Sequence, residues 1–252
     1  SDTSRVAATG CLVHSNKDIL TEDLAHLQAD VIQATGITEG SGFSVAPNTG
    51  ALRLRDPFQA LAMPSVAACT AVPAARRYRT GTTTLPAGLH CDHIIVERTA
   101  VVRLGAGDHV FRGRLIVQGD AAVEGEDVAL IFMNRQGDAD FNGNARVNLS
   151  GRRTGPYAGF VMIMERGTSR GINIRSGKVD RLLGTVYASH GAVRVSAAGN
   201  VAEESDWSVV VANRLHMEGA PTLVINTRYE GSPVPVPGGV GSNLPGTLRL
   251  VQ

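Results

Sequence analysis

The 252-residue chain carries 24 basic and 23 acidic side chains for a formal charge of +1, so no whole-molecule field draws it to nucleic acid or to an anionic membrane. Aromatic residues make up only 4% against 29 glycines, which excludes a large core built around rings and points to a narrow interior of Val, Ile, Leu and Ala. No run approaches the ~20 apolar residues of a membrane span. Near the start, Leu20, Leu24, Leu27 and Val31 fall at i, i+4, i+7 and i+11 behind Ser15-Asn16-Lys17-Asp18. That spacing predicts one short helix, opened by a capping box of Ser15 and Asp18. Ala34 to Ile37 then reads as extended, the beginning of a first coil, and Pro47 to Pro73 as an irregular wrap containing Asp56-Pro57-Phe58. Within the wrap, Ala60-Leu61-Ala62-Met63 is apolar enough to pack as an outside clip or cap.

Between Leu85 and Gly151 the chain repeats one phrase: a Gly-containing turn, a short β-branched run, another small-residue turn, another apolar run; coils extend from near Tyr78 to about Asn226. Gly88-Leu89-His90 recurs as Gly107-Asp108-His109 at an offset of 19, and Ala100-Val101 as Ala122-Val123 at an offset of 22. Runs such as His93 to Val96, Val101 to Leu104, Leu115 to Val117 and Val128 to Phe132 are poor helix material and good strands. A period of one strand-bearing coil, in which each coil buries its inward side chains only against its neighbours, is the mark of a solenoid. The expected fold is all-β, a single-domain right-handed parallel β-helix with one short N-terminal helix. Residues 1–77 supply the helix, first coil and irregular cap, 78–226 the coils, and 227–252 a Pro/Gly-rich extended tail.

Of three cysteines, Cys69 and Cys91 lie 22 residues apart, the coil offset, which would stack them on neighbouring coils within disulfide reach. A bridge there implies an oxidising compartment; the alternative is two buried thiols in a cytosolic solenoid.

An ordered set of motifs resembles the C-terminal region of TadG-like proteins, accessory components of the bacterial Tad (tight adherence, Flp-type) pilus system. It comprises Gly10-Cys11-Leu12-Val13-His14-Ser15-Asn16, Asp56-Pro57-Phe58 with Pro64, and Cys69 with Tyr78 and Gly81. It continues through Thr84 to Cys91 (TLPAGLHC), then Gly155-Pro156-Tyr157-Ala158-Gly159 and Pro233-Val234-Pro235-Val236-Pro237. The resemblance implies a non-enzymatic, envelope-associated protein, periplasmic or extracellular, acting in pilus assembly or surface attachment. Its partners would be pilus or envelope proteins and a surface ligand, with no nucleic acid, no cofactor and no catalytic residues. Membrane contact would come only through an upstream segment outside this chain. Two departures stand out: Cys91-Asp92-His93-Ile94 where the family often has Cys-Gly-Gly-Ile, and Ala51 where some relatives carry a cysteine. An exported family strengthens the pairing of Cys69 with Cys91 and leaves Cys11 reduced or paired outside the chain.

Two constellations invite chemistry. In His90-Cys91-Asp92-His93, strand alternation sends His90 and Asp92 to one side and Cys91 and His93 to the other, so the four do not converge on a metal. Pairing of His90 with His109 from the next coil is geometrically better and equally consistent with a stacked surface ladder. Gln136-Gly137-Asp138-Ala139-Asp140, with Asn142, Asn144 and Asn148, has the composition of a calcium loop or of the paired acids of a β-helix glycosidase. It also has the composition of ordinary solenoid turns. Arg152-Arg153 reads as solvated turn residues and Glu165-Arg166 as a turn ion pair. Alternatives to the pilus reading are a carbohydrate-active β-helix enzyme or polysaccharide-binding module, and a structural spacer. Few aromatics for sugar stacking and no evident Lys, Arg and Asp cluster on repeated coil positions weigh against the enzyme.

Overall fold

The computed structural model describes residues 2–69, 74–133 and 136–241. Among them there is no α-helix. The chain forms a parallel β-solenoid of about ten turns, and every pairing between its strands is parallel. Part of the expected wrap, 70–73, and the end of the expected tail, 242–252, lie outside the described residues.

Three walls enclose the interior. The polar wall stacks Ala75–Tyr78, His93–Val96, Leu115–Val117, Ala139–Phe141, Gly171–Ile174 and the ends of Val179–Val195 and Ser208–Met217. The clip wall stacks Gly88–His90, Gly107–Phe111, Val128–Phe132, Phe160–Met164 and the earlier parts of the same two long strands. The long wall stacks Thr82–Leu85, Val101–Leu104, Ala122–Gly125, Arg146–Ser150 and the start of Val179–Val195. Alternation sends one set of side chains inward in rows, such as Val96, Val117, Phe141 and Ile174 on the polar wall. Phe111 and Phe132 stack at 5.2 Å between ring centres in a clip-wall row. Each residue is thus dry only because its counterparts on the next coils cover it.

The expected repeat is present, but its register is shifted. Leu89 pairs with Val110 and His90 with Phe111, two residues away from the alignment of His90 on His109. Val101 pairs with Ala122, one residue away from Val101 on Val123. Corners absorb the difference: coils differ in length, and the coil that carries Gly155 to Gly159 is among the longest, joining Ser150 to Leu183. At one corner Gly107 adopts φ of +133°, and a Cβ there would meet the Ala87 Cβ at 2.6 Å, so the turn requires glycine.

The N-terminal helix does not form. Arg5–Ser15 and His26–Ala34 are strands that pair with each other; the other edge of Arg5–Ser15 pairs with Pro221–Val224, which in turn pairs with Gly199–Val201. Backbone bonds from Ala202 N to Val179 O and from Glu204 N to Asp180 O join this stack to the long wall. The beginning of the chain therefore supplies the last rungs of the solenoid, beyond its final coils. The helical spacing is coincidental: Leu20, Leu24 and Val31 are 55%, 69% and 42% exposed, while Leu27, Ala29, Ile32 and Ala34 are the buried residues. Those follow alternation, interrupted by a bulge opposite the irregularity between Ala8 and Leu12. Ser15 Oγ accepts from Lys17 N at 3.1 Å, and Asp18 Oδ1 accepts from Ile37 N at 2.9 Å, so neither caps a helix.

A second apolar layer covers the outside of the clip wall. Val110, Ala129, Ile131, Ile163 and Tyr187 point outward there and are buried beneath Phe58, Leu61, Met63 and, from the tail, Val236 and Val240. Asp56 fixes the clip: its Oδ1 accepts from Phe58 N at 2.9 Å and its Oδ2 from the Tyr187 hydroxyl at 2.7 Å. Arg166, expected in a turn ion pair, donates instead to the clip carbonyls of Phe58 and Leu61. The tail lies along the surface, where the Trp207 indole N–H donates to Val234 O at 3.1 Å.

Candidate functional site

The polar wall carries charged side chains on its outward face on several coils. One outward row runs Arg77, Ile95, Ile116, Asp140, Asn173, Arg194 and His216. Beside it lie Arg114 and Asp138, each one residue before the first paired residue of its strand. Strand alternation puts Asp138 and Asp140 on the same outward side, while Ala139 and Phe141 face the interior.

Both carboxylates are nearly closed off from water, their side chains 5% and 9% exposed, and both are ion-paired. Arg114 Nε stands 2.7 Å from Asp138 Oδ1, with Arg170 Nη1 at 3.6 Å from the other oxygen. Arg175 takes Asp140 in a two-pronged grip, Nε to Oδ1 at 3.1 Å and Nη2 to Oδ2 at 2.5 Å. Planar forks of this kind match carboxylate geometry and hold the pair in place. The Gln136 to Asp140 segment is therefore neither a calcium cage nor an open pair of acids: guanidinium groups occupy the oxygens that either chemistry needs. Among the described residues no three His, Cys, Asp or Glu side chains are grouped to hold a metal.

Next to this network, toward the later coils, a groove of about 330 Å³ opens between Arg114, Asp140, Asn173, Arg175, Arg194, Ser196 and Glu218. Arg194 is exposed and, among the described residues, has no ion-pair partner. Arg214, one rung further and also exposed, is likewise without one. The sequence offers no evident cluster of Arg and Asp at repeated positions because coils of unequal length separate them; the structure gathers them.

No family model, characterised protein or solved structure matches this chain. The likeness to Tad-type proteins thus rests on motif order alone.

Cys69 and Cys91 form a disulfide, with Cα atoms 5.7 Å apart. The pair is the expected one, but the geometry differs from stacking of two coils. Cys69 belongs to the clip segment, and the strand beneath that of His93–Val96 is Ala75–Tyr78, with Ala75 opposite His93. The bridge thus fastens the clip to the edge of the first coil. Cys11 is the free thiol; burial, then the nearby Asp30 carboxylate, raises its pKa. In the neighbouring tetrad, Asp92 Oδ1 accepts from Ala74 N and His93 Nδ1 from Arg114 N.

His90 and His109 do meet, but inside the solenoid. Their rings stack at 5.3 Å, with His90 Nε2 and His109 Nδ1 3.0 Å apart, and His109 Nε2 lies 2.7 Å from Gly105 O. Because a carbonyl only accepts, the neutral pair is assigned with His109 donating to Gly105 and His90 donating to His109. Burial foremost, then the charge of His109 and of Arg76, lowers the His90 pKa to about 4. Burial lowers that of His109 as well, against the Gly105 bond and Asp108. The pair is a neutral polar plug at the first coil, ending the row continued by Phe111 and Phe132.

Arg152, expected as a solvated turn residue, is largely buried and bridges Asp108 at 2.9 Å and Asp127 at 2.6 Å, tying one corner of successive coils together.

Proposed function

We propose that the chain is a non-enzymatic attachment module of the bacterial cell envelope, an accessory or adhesion component of a Tad-type pilus acting in the periplasm or outside the cell. The observation that carries the non-enzymatic reading is the closure of Asp138 and Asp140 by Arg114, Arg170 and Arg175. A general acid or nucleophile must present a free oxygen to its substrate, whereas these oxygens are committed to guanidinium groups. The Cys69–Cys91 bridge fits an oxidising compartment. The pilus assignment itself is supported by the ordered motifs from Gly10 to Pro237. Deleting the gene and scoring pili by microscopy and attachment by surface retention tests it. Loss of attachment with normal pili supports adhesion, loss of pili supports assembly, and an unchanged strain on both measures overturns the proposal.

A second reading, a β-helix enzyme acting on acidic polysaccharide, is favoured by one observation: arginines and aspartates do recur on the polar wall beside a groove. Turnover of a uronic-acid polymer, abolished by Asp138→Asn, would replace the first reading with this one.

A further inference from the structure

We propose that the groove on the polar wall binds a carboxylate-bearing polysaccharide, with Arg194 as its principal anion contact. The inference deepens the attachment reading and rests on it, since it names the ligand that a non-enzymatic surface module would hold. Arg114 and Arg175 each commit donors to Asp138 or Asp140, whereas Arg194 and Arg214 are exposed and unpaired among the described residues. Arg214 stands on the rung after that of Arg194, opposite Ala192 and two residues before His216, the residue opposite Arg194, so two uncompensated positive charges lie diagonally on the same outward face. Two spaced charges on one face suit a polymer better than a single small anion.

The remaining lining selects among polymers. Asn173, Ser196 and Glu218 face the same groove and offer both donors and acceptors, which matches the hydroxyls of a sugar as well as its carboxylate. Asp140 and Glu218 would repel a densely charged phosphate backbone, and the chain as a whole is only +1. No aromatic ring lines the groove, so nucleobases and neutral sugar faces have no stacking platform. An acidic sugar held by charge and hydroxyl contacts remains. The clip, which covers the neighbouring wall, leaves this one open.

Titration calorimetry of the whole protein with polygalacturonate oligomers at low salt tests the proposal. Binding is expected to weaken as salt is raised, to weaken about tenfold in Arg194→Gln, and to be absent with neutral dextran. Arg214→Gln, on the next rung, reads the same surface through a second exposed side chain and is expected to weaken binding too. Arg103→Gln on the long wall is the matched control and should leave it unchanged. No binding, equal binding of dextran, or affinity unaltered by both Arg194→Gln and Arg214→Gln would overturn the site. Assay of the same mixtures for new chain ends separates the two ideas: binding with cleavage upholds the site and overturns the attachment reading, while binding without cleavage supports both.

Discussion

Truncating Leu115 to Ala is expected to destabilise the solenoid by about 3 kcal/mol, and the same truncation at its neighbour Ile116 by about 1 kcal/mol. The two changes delete the same number of carbons, so the difference measures orientation alone. Leu115 is fully buried between Ile94 and Ala139 in an inward row. Its loss removes roughly three methylene equivalents at about 0.8 kcal/mol each, and adds a cavity term because coils locked by backbone bonds above and below close poorly around a void. Ile116 points outward between Ile95 and Asp140 and is only half-buried, so most of what it loses is already shared with water. Urea unfolding of both variants with the disulfide intact, read as the change in midpoint at equal m-value, gives the comparison. Equal costs, or a Leu115→Ala cost below that of Ile116→Ala, would refute the register, because a slip of one residue exchanges the two faces.

Replacing both Cys69 and Cys91 with Ala should lower the unfolding free energy by about 3 kcal/mol, the entropy of a loop of this size, and free the clip to protease; a cross-link containing Cys11 in the unreduced protein would contradict the assignment. The histidine plug makes stability pH-dependent. The unfolded chain holds a proton on His90 below pH 6.5 and the folded chain only below about 4, so stability is full above 6.5 and falls as the pH drops toward 4. Allowing for the partial exposure of His90, the loss is roughly 1–2 kcal/mol. His90→Phe, extending the Phe111 and Phe132 stack, should flatten most of that slope in thermal melts between pH 4 and 7, and an unchanged slope would assign the dependence elsewhere.

The strands of the polar and clip walls were legible because short Val, Ile and Leu runs between small residues have few other uses. Which side of each run faces inward was not, since the offset seen at one coil does not hold at the next. His90 aligned on His109 suggests a surface ladder, yet the actual partner of His90 is Phe111 and both imidazoles turn inward. The Arg114, Asp138, Asp140 and Arg175 network stayed hidden for the same reason: it appears only when three coils of unequal length are brought into register. The helix at Leu20 to Val31 fails differently. The strand that forms there, His26–Ala34, pairs with Arg5–Ser15, which itself rests on Pro221–Val224, a partner so remote in sequence that no local pattern reports it, and tertiary pairing overrides the helical spacing. The disulfide was found from the number of intervening residues although the segment bearing Cys69 is not a coil.

Because Arg5–Ser15 rests on Pro221–Val224, synthesis and assembly run in different orders. The first strands to leave the ribosome find their edge only after more than two hundred further residues exist, whereas coils from Ala75 onward can zip against the coil just made. The early segment, even with Arg5–Ser15 paired to His26–Ala34, must wait with its other edge open, and its closure is the step that seals the far end of the stack. Proteolysis of stalled chains ending before Pro221 should therefore cut within Arg5–Ala34 while sparing the completed early coils, so that integrity of the beginning reports completion of the end.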